Sequence, residues 1–447
     1  MNGTRRPLAR FAAAALLLAA GAAWAAPKQP APPRNVETLC ALPNLWAMNQ
    51  DEFQQVAHKL GFVWSDVQRG QALTGGEGLQ FAGLKSHDSR ATFEGGKLAH
   101  LVIMLYSHAE SGAINQFQFD EQLDRTKKAL AVWAGQPPLP LPDLSGPARI
   151  KIQHCAWTNA TTRTELEWSA MKPQVLEGRK LEFRADFIRL RQTPVTAAPA
   201  AAGAATKPRT AAELKARIKR EANGDVLLEV PMVMNSAKGT VLAANTERVL
   251  RYYGQNFDQF QVSQVCDSMA AASGNSFNGL RDSLKKIAQK LGLRLVVVQD
   301  IEQRDFQRLV QDYNHAATAA RVSKVTADMN NLDICRLYWN MDMDLLRTAK
   351  AKRTVDFNRF KTETSKSIEA GVPLIWHCMM GKVPEPGMSV SGSCVFLPRL
   401  LIGFNTKTGE LLLTDGLGAG HELKRMKWED AWAISLSLFI IKPNNLP

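Results

Sequence analysis

The sequence predicts an α+β fold divided between two domains, and three features of the chain support this prediction. Residues 194–209 are rich in alanine and proline and poor in bulky apolar residues, so they cannot bury enough surface to form a core. Before them, runs with strand alternation are mixed with helical patterns. After them, helical patterns come first and strands close the chain, which is typical of an α+β domain with two facing parts.

The first 25 residues have the composition of a cleavable export signal. A start with three arginines and no acidic residue is followed by a small and apolar run over residues 11–24, which ends in an A-x-A motif closing at Ala25. The run is too short to span a membrane. We therefore expect cleavage near Ala25 and export to the bacterial periplasm or beyond, while the arginine pair leaves both the Sec and the twin-arginine route open.

The size and charge of the chain restrict its class and its partners. Its 447 residues, 45% of them hydrophobic, are enough for two or more cores. The formal charge of +13 includes the three signal arginines, so the mature chain keeps +10. Such a charge favours association with the anionic cell envelope, although basic residues scattered over solvated faces would give the same total. Residues 347–361 interleave basic and apolar residues at helical spacing, which predicts an amphipathic helix, and nothing indicates specific nucleic-acid binding.

The six cysteines favour disulfide chemistry over metal binding. An exported chain reaches an oxidising compartment, where pairing is expected, and Cys378 and Cys394 flank one loop between two predicted strands. We therefore favour a Cys378–Cys394 disulfide. No CxxC unit occurs and the eight histidines are dispersed, so the sequence predicts no metal site and no cofactor. The Gly-rich segment before His421 is not a GxGxxG motif, which favours a structural turn over a phosphate loop.

The predicted N-terminal domain covers residues 35–193. Strand patterns over residues 90–106 are interrupted by Glu-Gly-Gly-Lys, which indicates a hairpin turn. His154 lies beside Cys155 in a strand pattern, where a core role is expected, and we find no catalytic constellation in this domain. The other predicted elements are helices over residues 51–60 and 121–133 and strands over residues 154–168 and 181–191.

The predicted C-terminal domain covers residues 210–447. A capping box at Thr210 and Glu213 starts a helix that we expect to end at Asn223-Gly224. Leu280, Leu284, Ile287 and Leu291 recur on one helical face before a buried strand over residues 293–298. The other predicted elements are a strand over residues 226–233, helices over 240–253, 303–321 and 344–370, and strands over 372–380, 399–405, 410–414 and 434–441.

Two stretches of this domain carry a family resemblance. Residues 230–254 read VPMVMNSAKGTVLAANTERVLRYYG, and the tail reads RLLIGFN over residues 399–405 and LLTDGLGAGHELKRM over residues 412–426. Together they resemble papain-fold cysteine peptidases of the bacteriocin-processing type, particularly exported bacterial relatives with an extra N-terminal domain. The resemblance implies a papain-like fold over residues 210–447, a cysteine at the start of a helix, a histidine before a strand, an Asp or Asn after the next strand, and an oxyanion glutamine.

The residues at these positions do not supply that chemistry. The resemblance places the nucleophile at Val241, the base at Leu397 and the oxyanion donor at Asn235, and only Asp415 keeps its family role. A thiolate nucleophile, an imidazole base and an orienting acid each require particular atoms, which valine and leucine lack. No cysteine occurs between positions 155 and 266 and no histidine between positions 377 and 421. The catalytic cysteine and histidine are therefore absent in any register of the alignment with the family.

We therefore expect a pseudopeptidase that binds a peptide or a partner protein and has lost catalysis. One alternative is an active cysteine peptidase with a relocated thiol at Cys394, assisted by His421, His377 or Asp415. A second alternative is a basic scaffold protein of the cell envelope. An open apolar groove near the four substituted positions would favour peptide binding, whereas a filled one would favour a scaffold.

Overall fold

The computed structural model describes residues 32–145, 151–176, 179–196, 208–235, 241–255, 257–265, 279–328, 332–386, 395–418 and 420–446. Within these ranges the protein is a mixed α+β structure with two large antiparallel sheets. The predicted signal peptide, Cys394 and most of the predicted linker lie outside the described residues. No described helix has the length and apolar character needed to cross a membrane.

Residues 32–196, called the N-terminal half below, form one large sheet and helices beside it. The sheet has the strand order β2-β3-β6-β7-β14-β11-β10-β8, and all its pairings are antiparallel. The elements are β1 (Arg34–Asn35), α1 (Glu37–Cys40), α2 (Gln50–Ala57), β2 (Val63–Trp64), β3 (Gln71–Gly75), β4 (Leu79–Phe81), β5 (Leu84–Lys85), β6 (Asp88–Glu94), β7 (Lys97–Ser107), α3 (His108–Ser111), α4 (Gln116–Ala134), β8 (Leu139–Pro140), β9 (Leu144–Ser145), β10 (Lys151–Thr158), β11 (Thr162–Met171), β12 (Gln174–Leu176), β13 (Arg179–Leu181) and β14 (Arg184–Pro194).

Local sequence signals explain most of these elements. The predicted hairpin is confirmed, since β6 and β7 flank Gly95 and Gly96, both of which have positive φ. Helix α4 begins five residues before its predicted start because Asn115 caps it in a capping box with Gln118. The strand predicted over residues 154–168 is wrong as a single run: β10 and β11 form a hairpin across residues 159–161. The His154 side chain is buried and bonds the Pro142 carbonyl, as expected of a core residue.

Residues 208–446, called the C-terminal half below, form a second sheet with helices packed on it. Its strand order is β15-β16-β19-β18-β22-β17, and β20 and β21 extend it from β19. The elements are α5 (Ala211–Ala216), β15 (Ile218–Arg220), β16 (Asp225–Leu228), α6 (Val241–Tyr252), α7 (Gln259–Val265), α8 (Gly279–Lys290), β17 (Leu293–Asp300), α9 (Gln303–Ala319), α10 (Ile334–Asn340), α11 (Met343–Ala351), α12 (Thr354–Glu369), β18 (Leu374–Met380), β19 (Val395–Asn405), β20 (Glu410–Thr414), β21 (Lys424–Lys427), α13 (Trp428–Ile434) and β22 (Ser435–Pro443).

Two predictions for this half are wrong in a way that turn chemistry explains. Thr210 and Glu213 form the predicted capping box, but α5 ends at Ala216. Asn223-Gly224 is the turn of the β15–β16 hairpin, where the glycine adopts φ 95°. The single helix predicted over residues 344–370 is two helices, because the chain leaves helical geometry at Arg353 between α11 and α12. The predicted amphipathic helix over residues 347–361 is therefore also divided.

The two halves have separate cores and meet at a smaller interface. One cluster of buried apolar side chains comes entirely from residues 36–190 and another from residues 214–446. At the interface, Phe260 of α7 packs with Phe187, Met104 and Ile152 of the N-terminal half. The Arg189 guanidinium, buried beside these rings, pairs with Asp258 across the interface. Packing and charge pairing thus join the halves.

Candidate functional site

Helix α6 brings the predicted nucleophile position to strand β19. Asn245, one turn after Val241, donates from Nδ2 to the Pro398 carbonyl at 2.7 Å, directly beside Leu397. Val241 and Leu397 are both half-buried. Neither side chain can hold or release a proton, so these two positions support no nucleophilic step.

The predicted oxyanion position packs against the residue that follows Asp415. The Asn235 backbone N–H donates to the Gly416 carbonyl at 3.1 Å. A Cβ at Gly416 would lie 2.7 Å from Asn235 Oδ1 and 3.0 Å from the Val233 carbonyl oxygen, so this approach requires glycine. The structure therefore brings together the segments of all four predicted positions.

Asp415 is buried, and both oxygens of its carboxylate are engaged. Oδ1 lies 2.6 Å from His421 Nδ1, which is close enough for this nitrogen to donate its N–H to the carboxylate. Oδ2 accepts from Arg399 Nη2 at 2.8 Å. Arg399 lies in β19, and His421 follows β20. Asp415 therefore orients His421 and Arg399, whereas Leu397 presents no base for it to orient.

Arg399 connects Asp415 to a second carboxylate. Its Nη1 and Nη2 donate to the two oxygens of Glu385 at 2.8 and 2.6 Å, and Lys424 Nζ lies 3.5 Å from Glu385 Oε2. Burial alone would lower the pKa of Arg399, but its hydrogen bonds and charge pairing with Glu385 and Asp415 hold that pKa above the usual value. Glu385, Arg399, Asp415, His421 and Lys424, called the Asp415 cluster below, thus form a buried network of balanced charge.

Arg248 of α6 lies next to the Asp415 cluster. It is fully buried, and it donates from Nε to the Pro231 carbonyl at 2.9 Å and from Nη2 to Thr414 Oγ1 at 2.7 Å. Burial lowers the pKa of Arg248 to about 10, with Asp415 acting against that shift. The Arg248 guanidinium therefore joins α6 to the segment before it, at Pro231, and to the end of β20, at Thr414.

The Cys378 thiol is the described sulfur nearest to this cluster in the sheet, and it is free. The register of β18 and β19 pairs Cys378 with Leu397. Burial raises the pKa of Cys378 to about 12, although Arg399 lowers it in part. The free Cys378 thiol disagrees with the favoured Cys378–Cys394 disulfide, while Cys394 itself lies outside the described residues.

Sequence reasoning missed three members of the Asp415 cluster, namely Glu385, Arg399 and Lys424. Arg399 interrupts the apolar strand β19, and such an inward-facing charge within a strand is the signal that could have identified it. Glu385 lies in a connecting segment after β18, where no pattern marks a buried carboxylate. His421, expected to close a structural turn, does so through its N–H to the Gly418 carbonyl and also bonds Asp415.

A groove of about 360 Å³ lies elsewhere in the C-terminal half, beside strand β17. Residues 297–302 form one wall, and the Val297 side chain is 40% exposed. Among the described strands, β17 pairs only with β22, with a bulge at Val298. Its other edge therefore leaves backbone donors and acceptors without a strand partner in the described part of the chain.

The opposite wall of the groove is one face of α12, and its floor is aromatic. Arg353, Asp356 and Arg359 project from that face above Phe360 and Trp432, whose rings lie 5.6 Å apart. Lys350 lies at the floor, where its Nζ donates to the Ser435 carbonyl at 2.9 Å. Burial lowers the pKa of Lys350 to about 7, so this amine carries its charge in only part of the molecules at neutral pH. The groove thus combines an aromatic, apolar floor with charged rims.

No group of histidine, cysteine, aspartate and glutamate side chains suited to hold a metal ion occurs among the described residues. The chain matches no known protein family and no curated protein.

Proposed function

We propose that the protein is exported and that its C-terminal half is a papain-like, peptidase-type domain which binds a peptide or a partner-protein segment without cleaving it. The observation that carries the proposal is the groove along the free edge of β17. An extended segment added to such an edge gains main-chain hydrogen bonds, and pockets beside the edge select its side chains.

The substituted site supports the absence of cleavage. Val241 and Leu397 cannot act as nucleophile and base, and the pKa of the buried Cys378 thiol, about 12, keeps it from forming a thiolate at neutral pH. Asp415 is engaged by Arg399 and His421 instead of orienting a base. Buried ion pairs fill the described surroundings of Asp415, which at that place favours the scaffold alternative, so we propose that peptide binding takes place at the β17 groove instead.

The groove indicates the kind of segment that it would accept. Val297 offers an exposed apolar contact at the strand edge, and Phe360 and Trp432 offer an aromatic floor. Arg353 and Arg359 stand at the helical rim, where a carboxylate of the ligand would meet them. Four acidic and four basic side chains line the groove, so we propose an extended segment that carries apolar side chains next to charged ones of both signs.

A selection from a random peptide library tests the binding. Peptides that bind the mature protein are selected, and affinities are measured by calorimetry for wild type, Val297→Lys and the control Val322→Lys. Both valines are similarly exposed, at 40% and 48%, but only Val297 lines the groove. A lysine at the strand edge blocks strand addition, so we expect about tenfold weaker binding for Val297→Lys alone. Equal affinities for all three proteins would contradict this assignment.

Incubation with casein and with the selected peptides tests the absence of cleavage. We expect both substrates to stay intact, as followed by mass spectrometry. Cleavage that is lost after alkylation of cysteines would instead establish the relocated-thiol peptidase, and mapping the alkylated residue would show whether Cys394 is the nucleophile. Binding of anionic vesicles without selection of any peptide would favour the envelope scaffold.

A further inference from the structure

A cavity of about 300 Å³ in the N-terminal half is separate from the sites described above. It lies where β3 and β6 meet α3, and its lining includes Glu77, Lys85, His87, Asp88 and Glu110. Three carboxyl groups thus face one lysine and one histidine, so the cavity has an excess of negative charge. Neither the Asp415 cluster nor the β17 groove contributes to it.

A serine, a histidine and a glutamate are aligned at this cavity. Ser111 Oγ lies 2.8 Å from His87 Nε2, and His87 Nδ1 lies 3.4 Å from Glu110 Oε2. A hydroxyl on one ring nitrogen and a carboxyl group facing the other is the arrangement of a nucleophile, its general base and an orienting acid. Apo sites commonly show the longer of these contacts before substrate binds.

The surrounding backbone holds these three side chains in place. The His87 backbone N–H donates to the Met104 carbonyl at 2.8 Å, which fixes the residue against β7. Tyr106 donates from its hydroxyl to the Gly112 carbonyl at 2.9 Å, directly after Ser111. Gly112 has φ 76°, which lets the chain turn away at the end of α3. These bonds place His87 directly before β6 and Ser111 at the end of α3.

Asp88 provides the second independent indication of a ligand. Its side chain lines the cavity and is 3% exposed, yet neither carboxyl oxygen has a hydrogen-bond partner among the described residues. Arg90 Nη2 forms a long ion pair with Asp88 Oδ2 at 3.6 Å, which offsets part of the charge. A buried carboxylate that accepts no hydrogen bond is further stabilised when a bound molecule donates one. An ammonium or another donor group of a ligand would do so.

The titration of the neighbouring groups suits a general base. Burial, together with Lys85, lowers the pKa of His87, so its imidazole is neutral and can accept a proton at neutral pH. Burial and the adjacent Asp88 raise the pKa of Glu110 to about 7. Near neutral pH the histidine therefore stays unprotonated, and the carboxyl group that orients it becomes ionised as the pH rises through 7.

We propose that Ser111, His87 and Glu110 form a serine-hydrolase site for small acyl esters that carry a cationic group, which Asp88 receives. Ser111 Oγ attacks the ester carbonyl carbon while His87 Nε2 accepts the hydroxyl proton. The carbon–oxygen bond to the alcohol then breaks, and that proton passes from His87 to the departing oxygen. Water, deprotonated by His87, attacks the acyl-serine, and the proton returns to Ser111 as the acid is released.

Hydrolysis of two acyl substrates by the full mature chain tests the proposal: the cationic thioester acetylthiocholine and the neutral ester p-nitrophenyl acetate. In the thioester the carbon–sulfur bond breaks, and the proton passes from His87 to the departing sulfur. We expect Ser111→Ala and His87→Gln each to lower kcat/KM by about 100-fold or more, because each removes the nucleophile or its base. The matched control is His58→Gln, an exposed histidine of the same half that bonds only its own helix. It should leave the rate unchanged, and unaltered circular dichroism would show that each variant folds.

Two further measurements separate catalysis from a structural hydrogen bond. A fluorophosphonate should label Ser111, as located by peptide mass spectrometry, and His87→Gln should prevent the labelling. Asp88→Asn should raise KM for acetylthiocholine about tenfold while leaving p-nitrophenyl acetate unaffected. Absence of hydrolysis and labelling, labelling at another residue, or equal rates for wild type and Ser111→Ala would overturn the proposal.

Discussion

Replacing Arg399 by methionine removes the guanidinium that joins the two carboxylates of the Asp415 cluster. Arg399 is fully buried and donates three hydrogen bonds, two to Glu385 and one to Asp415. Methionine fills a similar volume but leaves both carboxylates buried with fewer partners. We therefore expect a large loss of stability that comes from charge and not from packing.

The expected loss is about 3–5 kcal/mol of unfolding free energy, the range typical when one partner of a buried ion pair is removed. The matched control is Arg308→Met, which removes an arginine that is mostly solvent-exposed and lies 3.9 Å from Asp305. Exposed pairs of this kind contribute about 1 kcal/mol or less. The two substitutions are chemically identical, so the difference between them isolates burial.

Urea unfolding followed by tryptophan fluorescence measures both variants. Trp376 is buried and lies directly across from Arg399 in the β18–β19 pairing, so it reports on this part of the sheet. We expect a clear drop in the unfolding midpoint for Arg399→Met and nearly none for Arg308→Met. Equal midpoints for the two variants would refute the reasoning that the cluster is a tightly coupled, buried network.

Three further predictions concern the C-terminal half. Gly416→Ala should lower the melting temperature by several degrees, because the added Cβ would overlap the amide oxygen of Asn235. The control Gly70→Ala, whose Cβ would meet no atom closer than 3.9 Å, should change the melting temperature little. Calorimetry of both variants checks this, and equal melting temperatures would contradict it. Burial lowers the pKa of His377 to about 4, so its folded form binds fewer protons than the unfolded chain, and stability should fall as the pH drops from about 6.5 towards 4, by up to about 3 kcal/mol. Unfolding curves across this window should lose that component in His377→Leu and keep it in the exposed control His315→Gln; an unchanged dependence in His377→Leu would exclude this residue as the cause. Cys378 should resist iodoacetamide at pH 8 in the folded protein and react after unfolding, as read by peptide mass spectrometry, whereas rapid labelling or a disulfide at this residue would conflict with its buried free thiol.

Much of the fold could be predicted because local signals decide it. The strand β20 runs over residues 410–414 as expected, and α6 ends within a residue of its predicted end. The failures lie where one local signal has two structural meanings. Asn223-Gly224 serves equally as a helix end or a hairpin turn, and the tertiary pairing of β15 with β16 decides for the turn. The short helices α10 and α13 were missed because seven residues give too little periodicity.

The residues of the candidate sites also fall into those that the sequence could predict and those that it could not. Asn235, Val241, Leu397 and Asp415 were predicted from a family resemblance; their segments do lie together, while their peptidase-type roles stay a prediction. The partners of Asp415 were not predictable, since Glu385 comes from a connecting segment that only the folded chain brings near. The alignment at His87 was missed entirely: its partners are 23 and 24 residues away along the chain and carry no spacing signal.

Hydrogen exchange measured by mass spectrometry, with and without a selected peptide, shows where the C-terminal half binds that peptide. We predict slower exchange of backbone amides in β17 and in the facing part of α12, while the peptide keeps its full mass throughout. Slower exchange at the start of α6 and at β19, together with shortening of the peptide, would contradict the claim and restore the former cleft as a working peptidase site.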